Sequence, residues 1–255
     1  MARYDFTTPR LYVRDDLQAG REIALDAKPA NYLKNVLRLR PGAAVQTFNG
    51  RDGEWRAVVA AAGRCQVSLA CEAMLRPQEP LPPLGYLFAP LRQARLDYMI
   101  EKAVEMGAGR LVPVLTRHTQ VRTVNAERLF AHVVEACEQC GVIAVPEIEP
   151  VTPFHDLMAA WRVPSAGSVL VVADEIESRE PRDPLAALAG IGGREVSLLI
   201  GPEGGFAADE RAAFRAVPGV VILPLGPRIL RADTAAVAAL ALLQAAAGDW
   251  RGAPA

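Results

Sequence analysis

The chain has 255 residues, of which 51% are hydrophobic and 22% charged, with a formal net charge of −1. This composition is typical of a globular protein with one large or two modest domains, and it excludes a disordered or collagen-like chain. The longest unbroken apolar run, Ala235–Leu243, is about half of the roughly 18 residues needed to cross a membrane, and the N-terminus lacks a signal-peptide pattern. Four cysteines do not make a disulfide framework at this length, so we expect a cytoplasmic protein.

The N-terminal part of the chain has the pattern of a small, mostly antiparallel, barrel-like domain. Residues 44–48, 54–59 and 65–72 resemble half-buried strands, and turn residues 49–53 join the first two. A short helix is predicted over 29–38. Residues 1–76 carry 12 Lys and Arg against 8 Asp and Glu, a balance of +4. A polyanion would meet this part first, although such an excess is also common on an ordinary solvated surface.

A proline-rich segment at 77–83 predicts a stiff linker, because proline fixes φ and removes a hydrogen-bond donor. After it, short apolar runs alternate with amphipathic stretches, which is typical of an α/β domain with a mainly parallel sheet. The sequence thus predicts a first domain over 1–75, a linker over 76–84 and a second domain over 85–255. In the second domain, strands are predicted at 85–89, 110–115, 168–173, 195–200 and 220–225, and helices at 93–106, 125–140, 208–216 and 234–247.

Common catalytic motifs are absent from the sequence, which has no ATPase-type phosphate loop, no complete G-x-G-x-x-G after a strand and no G-x-S-x-G elbow. Cys137 and Cys140 form a C-x-x-C, which could be a redox pair or half a zinc site, but which we interpret mainly as two small apolar residues on a helix face. His118, His132 and His155 lack metal-binding spacing, so no metal is predicted. His118 lies in a polar, basic loop directly after a strand, where open α/β sheets place ligands; an ordinary solvated loop fits equally well.

Two loops after predicted strands stand out. Residues 201–206 read Gly-Pro-Glu-Gly-Gly-Phe, and the glycines let the backbone bend sharply and approach a ligand. Residues 225–234 read Leu-Gly-Pro-Arg-Ile-Leu-Arg-Ala-Asp-Thr, with Asp233 or Thr234 as the predicted N-cap of the last helix. Either loop alone could be an ordinary strand-to-helix turn. Together, after consecutive strands, they predict a shared pocket of main-chain groups for an adenine and a ribose, with arginines on its rim for a phosphodiester.

These two loops resemble those of the bacterial 16S ribosomal RNA (uracil-N3) methyltransferase family, in the SPOUT superfamily. The resemblance covers nearly the whole chain, since P-R-L-Y at 9–12, N-V-L-R at 35–38, D-G at 52–53 and the segments 101–107 and 135–141 also match. It places both cysteines of the C-x-x-C at small-residue positions of a family helix. Three places depart from the family pattern: Val142 replaces an arginine, Thr116-Arg117-His118 replaces T-E-R, and Asp233 replaces a glutamate.

The resemblance implies an N-terminal PUA-like RNA-binding β-barrel and a C-terminal parallel-sheet α/β domain with the trefoil knot of SPOUT enzymes. It implies S-adenosylmethionine as the cofactor, 16S ribosomal RNA of the small ribosomal subunit as the substrate, methylation of N3 of one specific uridine, and a homodimer. No membrane and no metal are implied. The cofactor-binding residues carried over from the motifs are Leu199, Ile200, Gly201, Pro202, Gly204, Gly205, Leu225, Gly226, Ile229, Leu230, Thr234 and Ala235.

Methylation at N3 makes a chemical demand of its own, because N3 of uracil is a weak nucleophile until its proton leaves. The site needs a base, or a cation that stabilises the uridine anion. Glu203 is the candidate base, and accepting hydrogen bonds from loop N–H groups is an equally good role for it. Arg228 and Arg231 are the candidates for stabilising the anion and anchoring phosphate. Candidate RNA contacts are Arg10, Arg38, Arg117 and Arg122.

Two alternatives remain open on the sequence. A SPOUT methyltransferase acting on another RNA site, such as a tRNA ribose 2′-hydroxyl, would share the fold and the cofactor. A ribosome-binding factor without catalysis would share the RNA-binding surface.

Overall fold

The structure is a computed structural model that describes residues 5, 7–62, 67–161, 167–174 and 183–251. The chain forms two compact units: Met1–Pro80 with Cys137–Val145, and Leu81–Ala136 with Pro146–Ala255. The predicted second domain, 85–255, includes residues 137–145, whereas the structure groups these residues with the first unit. Within the described ranges, no helix combines the length and apolar character that a membrane span requires.

The first unit is built on a five-stranded sheet. Its strands are β1 (Arg10–Tyr12), β2 (Glu22–Ala24), β3 (Ala44–Phe48), β4 (Glu54–Ala62) and β5 (Val67–Arg76), in the order β1-β3-β4-β5-β2. All neighbours are antiparallel except β1, which runs parallel to β3. Val67, Leu69 and Cys71 of β5 are buried in the core of this unit, as predicted, but Ser68 between them is buried as well and donates to Glu22; Cys65 lies outside the described residues. Closure of the sheet into a barrel stays a prediction.

The helix predicted over 29–38 starts and ends two residues earlier, over 27–36, and only its first half is α-helical. Helix α1 (Ala27–Asn31) continues into a π-helical turn, Tyr32–Val36, whose Leu33 is fully buried. Arg38 then adopts a left-handed conformation with φ of 56°, which a helix cannot continue through. The helix therefore ends before Arg38.

Residues 137–145 join the first unit through specific contacts with its strands. The Tyr12 backbone N–H donates to Glu138 Oε1 at 2.8 Å, and Arg76 Nη2 donates to the Gly141 carbonyl at 2.9 Å. Ile143 and Ala144 are buried. Long-range contacts of this kind leave no periodic signal in the sequence, which is why the prediction missed them.

The second unit alternates strands and helices as predicted. Its elements in chain order are β6 (Leu84–Phe88), α2 (Gln93–Glu105), β7 (Arg110–Leu115), α3 (Ala126–Cys140, whose last turn belongs to the first unit), β8 (Glu147–Ile148), β9 (Thr152–Pro153), α4 (Phe154–Trp161), β10 (Ser168–Ala173), α5 (Pro184–Ala187), β11 (Glu195–Ile200), α6 (Ala208–Arg215), β12 (Val221–Leu223) and α7 (Ala232–Ala247).

The sheet of the second unit is parallel throughout, with the order β12-β10-β11-β6-β7-β8, and β9 pairs with the end of β7. The parallel α/β prediction is therefore confirmed. Buried residues of the central strands pack with Phe154 of α4, Phe206 and Phe214 of α6 in one apolar cluster. The strand order reverses direction between β6 and β11, and open α/β sheets bind ligands beyond the carboxyl ends of strands at such a switch point.

Candidate cofactor site

The carboxyl ends of three parallel strands lie side by side in the second unit. Ala173, the last residue of β10, is in register with Ile200 of β11 on one side and with Leu223 of β12 on the other. The loops 201–206 and 224–231 thus leave the same edge of the sheet. The strands before them are consecutive in the chain but not neighbours in the sheet, because β10 separates them. Two strand spacings put the two loop origins about 10 Å apart.

The glycine loop that follows β11 is a tight turn with an exposed tip. The Gly205 N–H donates to the Pro202 carbonyl at 2.9 Å, and Gly205 has a φ of 64°, which favours glycine. Glu203 and Gly204 are exposed, while Phe206 is buried and its ring contacts Phe214 edge-on. The buried phenyl ring anchors one end of the loop, so only its tip is presented outward.

A buried carboxylate fixes the start of α6. Glu210 accepts the Ala207 N–H at Oε2 and the Arg117 N–H at Oε1, both at 2.8 Å. The first bond satisfies a backbone donor at the start of the helix, where donors lack intrahelical partners. The second ties the loop after β7 to α6. One side chain therefore links two loops at the same edge of the sheet.

A second buried carboxylate ties the end of β10 to the glycine loop. Asp174 forms a bidentate ion pair with Arg211, with Oδ2 to Nε at 2.8 Å and Oδ1 to Nη2 at 3.0 Å. Arg211 also donates to the Phe206 carbonyl. Two parallel bonds to a planar guanidinium fix its orientation, so they also fix that carbonyl. The sequence does not predict these roles for Asp174, Glu210 and Arg211, although a polar Asp174 directly after an apolar strand is a local signal for the first of them.

The loop after β12 is more open than the glycine loop. Residues 226–229 are exposed, and Ile229 retains 84% of its accessible surface. Gly226 has a φ of 86°, and a Cβ built on it would meet no atom within 4 Å. Arg228 and Arg231 are exposed, and neither has an ion pair or side-chain hydrogen bond within the described parts of the chain.

The predicted N-cap of the last helix is wrong. Helix α7 begins at Ala232, so the N-cap position is Arg231, which makes no capping bond with its side chain. Asp233 lies in the first turn, where its carboxylate accepts the Thr234 N–H at 2.8 Å and lies 3.9 Å from Arg95. An acidic residue in the first turn still interacts favourably with the helix dipole. Thr234 and Ala235 therefore lie inside the helix.

The four predicted RNA contacts lie in different environments. Arg38 and Arg122 are exposed, and Arg117 is exposed with its guanidinium 2.7 Å from Asp209. Arg10 instead lies with its side chain only 9% exposed, its Nη2 2.9 Å from Glu54 and its guanidinium over the Phe48 ring. Burial lowers the pKa of Arg10, and Glu54 opposes that shift. This position contradicts the predicted RNA contact of Arg10, because its guanidinium faces a buried carboxylate instead of solvent.

Glu54 pairs with two guanidinium groups, because its second carboxylate oxygen lies 2.7 Å from Arg76 Nε. The side chain of Arg76 is 13% exposed and that of Glu54 is 5% exposed. Glu54→Gln should therefore destabilise the protein by about 3–5 kcal/mol, because Arg10 loses its carboxylate partner and Arg76 keeps the exposed Glu79, 3.8 Å away. The control is Glu72→Gln, whose exposed pair with Arg56 should contribute about 1 kcal/mol or less. Urea unfolding of the full chain measures both variants, and equal losses would contradict the prediction.

The cysteines of the C-x-x-C are free thiols near the end of α3. Cys137 is fully buried, and burial raises the pKa of its thiol to about 12. A thiol with so high a pKa forms little of the thiolate that redox chemistry and metal binding use. These observations favour the interpretation of the two cysteines as packing residues.

His132 bridges α2 and α3. Its Nδ1 lies 2.8 Å from Glu101 and its Nε2 lies 3.2 Å from Asp97, which also pairs with Arg128 at 2.6 Å. The Glu135 carboxylate lies near the same group, with candidate ligand atoms of Glu101, His132 and Glu135 within 4.8 Å of one another. Because both ring nitrogens already have carboxylate neighbours, we interpret the cluster as a polar link between the two helices.

Comparisons with known proteins agree with this architecture. The family described as RNA methyltransferase domain matches residues 77–244, and RNA methyltransferase PUA domain matches 25–69. Ribosomal RNA small subunit methyltransferase E of Rickettsia conorii is 30% identical over 233 residues, covering 91% of this chain and 93% of the relative. The same-named protein of Mycobacterium tuberculosis is 30% identical over 249 residues, covering 94% and 92%.

Solved structures show the same fold. Ribosomal RNA small subunit methyltransferase E from Neisseria gonorrhoeae, bound to S-adenosyl methionine, superposes with a TM-score of 0.81 at 25% identity, covering 95% of this chain and 99% of that one. A putative methyltransferase from Legionella pneumophila in complex with the same cofactor gives 0.78 at 26% identity, covering 94% and 98%.

The sheet carries both loops at one edge, and the matches to an RNA methyltransferase domain and an RNA methyltransferase PUA domain identify the chain as an RNA methyltransferase. The matched domain covers more than half of the chain, and relatives match along nearly its whole length. The chain belongs to the family of ribosomal RNA small subunit methyltransferase E. The resemblance drawn from the two loops is thereby confirmed.

Proposed function

We propose that this protein transfers the methyl group of S-adenosylmethionine to N3 of one specific uridine in 16S ribosomal RNA of the small ribosomal subunit. The observation that carries the proposal is the pairing of two loops at one sheet edge: a glycine turn with an exposed carboxylate, Glu203, and an open loop with two exposed arginines, Arg228 and Arg231. The family membership and the cofactor bound in the Neisseria structure support the same function.

The residues of the second loop suit S-adenosylmethionine. Residues 226–230 make no backbone–backbone hydrogen bonds with other described residues, so their N–H and C=O groups are open to a ligand. An adenine and a ribose present donors and acceptors that such main-chain groups can recognise, and Gly226 leaves space for a close approach. The predicted cofactor contacts fall into two groups. One group lies at the end of β11 and in the glycine loop, and the other lies in the open loop 225–230 and at the start of α7.

When bound, S-adenosylmethionine supplies an electrophilic methyl group, so this chain chiefly has to align the acceptor and remove its proton. Glu203 is exposed and makes no hydrogen bond within the described parts of the chain, which favours the base role over a role in holding the loop. Arg228 and Arg231 are exposed and have no carboxylate partner among the described residues. They can stabilise the uridine anion or anchor an adjacent phosphate.

The finer features of the fold belong to the same proposal. Helix α7 follows the edge strand β12 yet contacts β11, two strands further in, and this return of the chain supports the predicted trefoil knot. The PUA match supports an RNA-binding barrel in the predicted domain 1–75 ahead of a linker at 76–84 and a methyltransferase domain over 85–255. A homodimer and a cytoplasmic location complete the proposal, since they follow from the family resemblance and a ribosomal RNA substrate.

The RNA-binding role of the exposed arginines makes a measurable prediction. Arg38→Ala and Arg122→Ala should each weaken 16S rRNA binding and lower the slope of log Kd against log salt by about 0.7–0.9 for each phosphate that the protein no longer neutralises. Filter binding across a salt series measures both quantities. Arg56→Ala is the control, because Arg56 is exposed but paired with Glu72. If the slope were unchanged in all three variants, Arg38 and Arg122 would not contact phosphates of the RNA.

The deciding experiment maps the methylated nucleotide. Small ribosomal subunits lacking the modification are incubated with the protein and S-adenosylmethionine, and nuclease fragments of the RNA are analysed by mass spectrometry. The proposal expects one N3-methyluridine in 16S rRNA. Methylation of tRNA ribose would favour the first alternative. Absence of methylation and of S-adenosylmethionine binding in calorimetry, with RNA binding retained, would favour a non-catalytic ribosome-binding factor.

A further inference from the structure

The turn that follows β7 is rigidly built. Thr116 and Thr119 are buried, their hydroxyls lie 2.8 Å apart, and the Thr116 N–H donates to Thr119 Oγ1 at 2.9 Å. The Thr119 N–H returns to the Thr116 carbonyl at 3.2 Å. The backbone of Arg117, within the turn, is held by the buried carboxylate of Glu210. The backbone on either side of His118 is therefore held in place by hydrogen bonds.

The imidazole of His118 contacts the tip of the glycine loop. Its Nδ1 lies 3.0 Å from the Gly204 carbonyl oxygen and 3.1 Å from that of Gly205. Carbonyl oxygens only accept hydrogen bonds, so Nδ1 must carry the hydrogen. The neutral ring is then the Nδ1–H tautomer, with its lone pair on Nε2.

A second contact comes from the same side chain. A Cβ added to Gly204 would lie 3.0 Å from His118 Cβ, closer than side chains normally approach. The side chain of His118 thus lies directly against the backbone of the loop as well as bonding to it. Gly204 allows this approach because it has no side chain.

We infer that His118 is a positioning residue for the glycine loop, where the cofactor would bind. Its Nδ1–H holds the carbonyls of Gly204 and Gly205. The inference rests on the proposed function for what the loop binds. A glycine-rich turn with one internal hydrogen bond would otherwise lose much conformational entropy on binding a ligand. Holding the two carbonyls in the free protein removes part of that cost and so raises affinity.

Substitutions of His118 distinguish the role of Nδ1 from that of Nε2. His118→Asn keeps a side-chain N–H near the position of Nδ1, whereas His118→Gln places its N–H near that of Nε2 and His118→Ala removes both. By calorimetry, S-adenosylmethionine should bind about fivefold to tenfold more weakly to the Ala and Gln variants and within about twofold of the unmodified protein to the Asn variant, since a neutral hydrogen bond contributes about that much. His155→Ala, at an exposed histidine of α4, is the control and should bind normally.

A spectroscopic test needs no cofactor. Nitrogen-15 NMR of the imidazole groups in the full chain should show neutral His118 as the Nδ1–H tautomer. An Nε2–H tautomer, unchanged cofactor affinity in the Ala variant, or an Asn variant as weak as the Ala variant would each overturn the inference. Failure of the unmodified protein to bind S-adenosylmethionine would instead count against the proposed function, and the tautomer would still decide the role of His118.

Discussion

Gly204→Val is expected to weaken S-adenosylmethionine binding, measured by calorimetry, by on the order of 100-fold. Even a single Cβ at this position meets His118 Cβ at 3.0 Å, and the branched valine adds two more carbons. Forcing extra carbons into a packed contact costs about 1–3 kcal/mol, and each factor of ten in affinity corresponds to about 1.4 kcal/mol. The loop can relieve the clash only by moving away from His118, which changes the surface offered to the cofactor.

The physical reason for this expectation differs from the one that the sequence suggests. Gly204 does not have a left-handed φ, so valine strains the contact with His118 and not the local backbone. Gly192→Val is a matched control in the same unit, since a Cβ there meets its nearest atom, Arg251 Nη1, at an ordinary 3.6 Å. Both variants should keep their melting temperature within a few degrees. If Gly204→Val bound S-adenosylmethionine as tightly as the wild-type protein does, the glycine loop would not be part of the cofactor site.

Glu203→Gln is expected to lower the single-turnover rate of methylation by about 100-fold or more, because glutamine keeps the size of the side chain and cannot take the N3 proton. Cofactor affinity should change little, since Glu203 makes no hydrogen bond within the described residues that the loop depends on. The rate of the variant should recover as pH rises, because hydroxide then removes the N3 proton directly. The unmodified protein should show a weaker rise over the same range.

The experiment compares rates and cofactor affinities across a pH series with small ribosomal subunits as substrate. Glu195→Gln provides a matched exposed carboxylate at the opposite end of β11 and should leave both quantities unchanged. Near-normal turnover of Glu203→Gln at neutral pH would rule out the base role. Loss of cofactor affinity instead of rate would assign Glu203 to holding the loop.

Local patterns predicted the regular elements well where the residues themselves carry the signal. Strands β3, β7, β10 and β11 have the predicted bounds, because their apolar side chains repeat with the period of a strand or fill it completely. The short strands β1, β2, β8 and β9 were not predicted. Two or three residues carry no periodicity, and such strands exist only because a partner strand accepts their hydrogen bonds.

The two ligand loops were also predictable, because glycines after an apolar strand form a motif within a few residues. What each loop contacts was not. His118 and Gly204 are 86 residues apart, and Glu210 lies 93 residues from Arg117, so only the folded chain brings them together. The same holds for Arg10, whose charge suggests a surface contact until the fold places Glu54 beside it.

The sequence by itself determined the parallel α/β class, the glycine loop 201–206, the loop 225–234 with its two arginines, and the family. Each of these follows from patterns and motifs of residues that are close together in the chain. Only the tertiary structure decided that β10 separates the two ligand loops, that residues 137–145 join the first unit, and that His118 holds the glycine turn. Each of these depends on contacts between distant segments. Such contacts are selected by burial and hydrogen bonding over the whole chain, and no local pattern encodes them.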